Sequence, residues 1–92
     1  MAKLIVVDFN TGAFMFESSM PDATTMKYAA MRIAEEGGWD PLEGNLSLIG
    51  YEALMSGSDK VIGEGDIAKD WDGRRVVLYK KIERRGRGRR EL

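Results

Sequence analysis

Carboxylates, guanidinium and ammonium groups, and a few hydroxyls make up the reactive inventory of this 92-residue chain. It has fifteen Asp and Glu, fourteen Lys and Arg, no histidine and no cysteine. Without imidazole or thiol, the commonest acid–base groups, activated nucleophiles and soft-metal ligands are absent. A disulfide scaffold is excluded for the same reason. Asp70 and Asp72 flank Trp71, and Glu64 and Asp66 repeat the spacing. On extended backbone each pair would share one side. A hydrolytic pair needs one carboxyl of raised pKa and a cleft between the two. A turn rim offers neither, so these read as solvated turn residues. The stretch from Asp59 to Asp70 does not fit EF-hand spacing, and Gly63-Glu64-Gly65 lacks the lysine and hydroxyl of a phosphate loop. Ser18, Ser19, Ser56 and Ser58 have no base spaced to activate them. The expectation is a chain without enzymatic activity, metal or cofactor.

The arginines make a stronger case, for binding. Arg84, Arg85, Arg87, Arg89 and Arg90 fall within seven positions, separated by Gly86 and Gly88. Arg74, Arg75, Lys80 and Lys81 precede them. Guanidinium forks pair bidentately with carboxylates and phosphates. The formal net charge of −1 therefore hides a split. Residues 1–73 hold five basic and thirteen acidic groups, and residues 74–92 hold nine basic and two acidic. The tail fits an acidic protein surface or, alternatively, nucleic acid. A body of charge −8 repels phosphate, and no aromatic lies within the tail to stack on a base. A protein partner is therefore the preferred reading. A solubilising end without a ligand is the plain alternative.

Such a tail needs a body to present it. At this length the scaling of surface with mass gives roughly 5,400 Å² exposed when folded against about 15,000 Å² unfolded. That suffices for one small core. The expected domain spans residues 1–82, with residues 83–92 as a basic Arg/Gly-rich tail. No apolar run approaches the roughly 20 residues of a membrane span, and the chain reads as cytoplasmic.

Lys3 to Phe9 and Ala13 to Glu17 are β-rich runs joined through Asn10-Thr11-Gly12, the pattern of a hairpin with glycine in the left-handed region. Phe14 and Phe16 are expected to share a core-facing side. Ser18 to Ala23 reads as a connection. Thr24 or Thr25 caps a helix, whose stripe is Met26, Ala29, Ala30 and Ile33. Gly37-Gly38 stops it after about eleven residues, and Trp39 folds back over the end of the core. Leu46 to Ile49 is a third strand. Tyr51 to Met55 is a short fourth strand or a turn. Arg75 to Ile82 is the last strand, with Val76 and Leu78 facing the core and Val77, Tyr79 and Lys81 on the exposed phase. The first and last strands, richest in β-branched residues, belong at the centre of the sheet.

The order of elements resembles the β-grasp fold in its ubiquitin-like form. Thr11-Gly12 stands at the hairpin tip, Pro21-Asp22-Ala23-Thr24-Thr25-Met26 leads into a single helix ending at glycine, Leu46-Ser47-Leu48-Ile49-Gly50-Tyr51 is similar to the third strand and its turn, and Asp59 through Ile67 leads to the final strand. The resemblance implies an α+β roll, one helix packed on a mixed four- to five-stranded sheet. It also implies protein recognition through the sheet face, here Val77, Tyr79 and Lys81, with Arg84, Arg85, Arg87, Arg89 and Arg90 latching onto an acidic partner. Conjugated members end in diglycine. This chain has no Gly-Gly pair after Gly38, which argues against that use. A small accessory or purely structural subunit of a larger enzyme is the remaining alternative.

Overall fold

The two runs richest in β-branched residues take the two central places of one mixed sheet. The computed structural model describes residues 1–40 and 46–80. Strands β1 (Ala2–Val7), β2 (Phe14–Met20), β3 (Leu46–Gly50) and β4 (Arg75–Lys80) lie in the order β2-β1-β4-β3. β1 and β4 run parallel, with Ile5 beside Arg75 and Val6 beside Val76. The outer pairings are antiparallel. Helix α1 (Met26–Glu36) packs on one face. A five-residue helix α2 (Tyr51–Met55) and a 3-10 turn at Ala68–Trp71 complete the described elements. The protein is thus a small α+β domain, with one main helix on a mixed four-stranded sheet.

The helix forms where its stripe and cap lie. The Thr25 hydroxyl accepts the Tyr28 N–H at 3.4 Å. Met26, Ala29, Ala30 and Ile33 are buried, and Ala34 joins them. They meet Ala2, Leu4 and Val6 of β1, Met20 of β2, Leu48 of β3 and Val76 of β4. The small Ala29 and Ala30 let the helix approach the sheet closely. Its start is tied to the far loop: Met26 N–H donates to the Asp66 carbonyl and Ala68 N–H to the Thr24 carbonyl, each at 2.8 Å. The β3 edge is partly covered, because Ile62 N–H donates to the Leu48 carbonyl at 2.7 Å.

Four expectations need correction. β1 ends at Val7 rather than Phe9. β2 continues through Met20, so Ser18 to Met20 is strand, not connection. A register shift between Val6 and Val7 pairs them with Phe16 and Phe14, leaving Met15 as the extra residue of a bulge. Phe14 and Phe16 therefore do not share a side. Phe16 packs against the main core, whereas Phe14 lies opposite Val7 and is 63% exposed. Finally, Tyr51–Met55 is helical.

Ser18 is the one polar or charged residue buried among the described residues, and its hydroxyl finds no partner. A buried hydroxyl without a hydrogen bond loses its hydration for nothing. Ser18→Ala is accordingly expected to leave stability unchanged or raise it by about 1 kcal/mol, read as a higher urea midpoint at unchanged slope. A clear loss of stability would show that the hydroxyl is bonded.

Candidate protein-binding surface

The expected binding strip on the sheet is largely roofed over. Val77 is only 1% exposed. It forms a second small core with Val7 and Ile49, covered by Ile5, Tyr51, Leu54 and Tyr79. Helix α2 follows β3 directly and folds onto this face, which strict alternation along β4 leaves apolar. Arg75 fastens it: the guanidinium donates to a Glu52 carboxylate oxygen at 2.9 Å and stacks 4.9 Å from the Tyr51 ring centroid. Arg74 lies 4.4 Å over the Trp71 ring, and that ring packs against the main core. These two arginines have partners within the domain. Trp71, a candidate surface anchor by sequence, is a half-buried core residue.

Tyr79 is half-buried and pairs with Ser47 across the β3–β4 ladder. It lines an open, mostly polar groove of about 510 Å³ with Lys27, Leu46, Asp59, Val61 and Glu64. Lys81, Arg84, Arg85, Arg87, Arg89 and Arg90 lie outside the described residues.

The surface that sequence reading missed is at the end of the sheet where β1 and β4 finish. Three connections converge there. Phe9 follows β1, Met15 starts β2 at the bulge, and Trp39 follows α1. With Val6, Val7, Asp8, Val77 and Leu78 they line a cavity of about 100 Å³. Phe9 is 51% exposed, Met15 41% and Trp39 40%. Phe14 adds a further exposed ring beside Met15. Single exposed apolar side chains are ordinary; a cluster on one pole is not.

Local structure holds each of them outward. The Asp8 carboxylate accepts the N–H groups of Asn10 at 2.9 Å and Thr11 at 2.8 Å, and the Thr11 hydroxyl at 3.1 Å. Asp8 N–H donates to the Ala13 carbonyl and Gly12 N–H to the Asp8 carbonyl. This closed loop carries Phe9 on its outside. Trp39 is placed by the end of α1. Trp39 N–H donates to the Ala34 carbonyl at 2.8 Å and Gly38 N–H to the Glu35 carbonyl at 3.2 Å, a Schellman ending with Gly38 at φ +86°. The Trp39 ring then lies where a Gly37 side chain would be. The signals were present in Phe14-Met15-Phe16, three apolar residues in a row that no regular strand can bury on one face, and in Gly37-Gly38-Trp39.

The Thr11 N–H, then its hydroxyl, hold the Asp8 carboxyl below its ordinary value of 3.8, with Asn10 N–H adding to them against a partial desolvation. A depressed folded-state pKa means stabilisation present above the unfolded value and lost as pH falls through the folded one. Asp8→Asn is therefore expected to lower the urea midpoint at pH 6, and the gap to the unaltered chain should close as pH falls below the ordinary carboxylate range. A gap independent of pH from 6 to 2 would contradict a charge-assisted loop.

Among the described residues no group of three or more His, Cys, Asp or Glu is placed to hold a metal ion, and no helix is long and apolar enough to cross a membrane. No family model and no curated protein matches the chain.

Proposed function

We propose that this chain is a non-catalytic protein-binding module of the ubiquitin-like β-grasp type, docking through the apolar pole built by Phe9, Phe14, Met15 and Trp39. The fold assignment is supported by the hairpin–helix–strand order and by the central parallel pair of a β2-β1-β4-β3 sheet. The observation that carries the binding reading is the convergence of these large apolar side chains, half or more exposed in two cases, on one cavity and its rim. Interfaces centre on aromatic and aliphatic anchors of this kind. The basic segment that follows β4 would act beside the pole, since β1 and β4 end together. The sheet-face version of this reading, centred on Val77 and Tyr79, is weakened by the burial of Val77 under α2.

A photo-crosslinking amino acid at position 14 tests it in extract of the native cells. The same group at position 28, where Tyr28 is 60% exposed near the start of α1, is the control. A discrete protein adduct from position 14 and none from position 28 is expected. Equal labelling from both, or none from position 14, would overturn the reading.

A further inference from the structure

Resting on that protein-binding reading, we propose that the pole takes a linear peptide which inserts one aliphatic side chain between Phe9, Met15 and Trp39 and carries acidic residues beside it. The size of the cavity selects the first part. At about 100 Å³ it is smaller than the roughly 150 Å³ apolar cavity that admits a benzene ring. A branched aliphatic side chain fits; an indole or a purine does not. The lining selects it too. Val6, Val7, Val77, Leu78, Phe9 and Met15 offer a ligand dispersion contact and no side-chain hydrogen bond. The only polar lining residue besides the Trp39 indole is Asp8. Its carboxylate is held in the charged form by its own loop, and a fixed negative charge at the rim repels phosphate.

Charge selects the second part. Because β1 and β4 are parallel, the chain leaves β4 at the end where the cavity opens. Residues 80–92 hold seven basic and two acidic groups. The twelve residues after Lys80 span at most about 40 Å, so these charges can reach a ligand seated on the pole. Two copies meeting pole to pole would bring two such segments together and repel. A ligand with carboxylates next to its anchor is instead attracted and steered. Arginine forks bind those carboxylates bidentately.

A display library of random dodecapeptides, selected on the full 92-residue chain, tests this, followed by fluorescence polarisation of the enriched peptides. The expected consensus is one Leu, Ile or Val beside two or more Asp or Glu. A Phe9→Gln/Met15→Gln double variant should weaken binding about tenfold or more. Replacing Arg84, Arg85, Arg87, Arg89 and Arg90 by Gln should weaken it about tenfold at low salt, with the difference shrinking at high salt. Enriched peptides without acidic residues, indifferent to the arginine substitutions, would overturn the acidic part and leave the protein-binding reading standing. Peptides indifferent to Phe9→Gln/Met15→Gln would overturn the cavity as the anchor site. Failure to enrich any peptide would overturn the proposal; the position-14 crosslink then decides the broader reading separately. Binding of a 15-nucleotide oligouridine in place of peptides, with affinity falling by about 0.7 in log–log slope per phosphate contacted, would overturn both.

Discussion

Truncating Leu4 to alanine should lower the unfolding free energy by about 2–5 kcal/mol, the range measured for large-to-small changes in tight cores. Leu4 is fully buried in a central strand, paired with Ser18 on one side and packed in the cluster that includes Met26, Ile33 and Val76. Neighbours on a central strand are fixed by hydrogen bonding on both flanks, so the cavity has little means of collapse. A domain of this length has roughly 5–14 kcal/mol in total, so the loss is a large share of it. Leu54→Ala is the contrast. Leu54 is only partly buried, on α2 over the second small core, and should cost clearly less. Urea unfolding of both variants at one pH measures the difference. Equal losses would mean that the face beneath α2 is as tightly packed as the face beneath α1.

Gly12→Ala should be the more damaging of two glycine substitutions with the same backbone conformation. Gly12 and Gly73 both sit at φ +76°. In that region any Cβ costs roughly 1–2 kcal/mol. Around Gly73 there is open space, so its substitution should cost that and no more. A Cβ on Gly12 would fall on the phenol oxygen and ring of Tyr51. Tyr51 would have to move, and it lies on the face that α2 covers, stacked by Arg75. Overpacking of this kind adds about 1–3 kcal/mol, giving about 2–5 kcal/mol in all for Gly12→Ala. The two variants compared by urea unfolding isolate the clash, since backbone strain is common to both. Equal costs would mean that the Tyr51 ring yields freely.

How much of this was legible beforehand depends on the range of the interaction responsible. The helix is set by contacts three and four residues apart, and Thr25, the Met26-to-Ile33 stripe and Gly37-Gly38 marked its start, buried face and end. The central placement of β1 and β4 followed from their β-branched content. β2 was misread because a single extra residue at Met15 reverses which side chains face inward. Period-two reading assumes an unbroken ladder, and a bulge is a property of two paired strands. Val77 was misread for a related reason. Alternation along β4 correctly put it on the phase opposite Val76, but nothing in β4 shows that α2, more than twenty residues earlier, lies over that phase.

The sequence by itself determined what this protein has to work with: a single small core, no imidazole or thiol, and an acidic body joined to a basic end. These follow from composition and short-range periodicity, which do not depend on how distant segments meet. Only the tertiary structure decided where a partner would find purchase. Phe9, Met15 and Trp39 belong to three separate connections. They become one surface because β1 and β4 run parallel, so that the ends of both strands, the bulged start of β2 and the close of α1 arrive at the same pole. The face expected to be open was covered by the same packing, as burying Val7, Ile49 and Val77 under α2 removes more apolar area from water than leaving that helix in solvent.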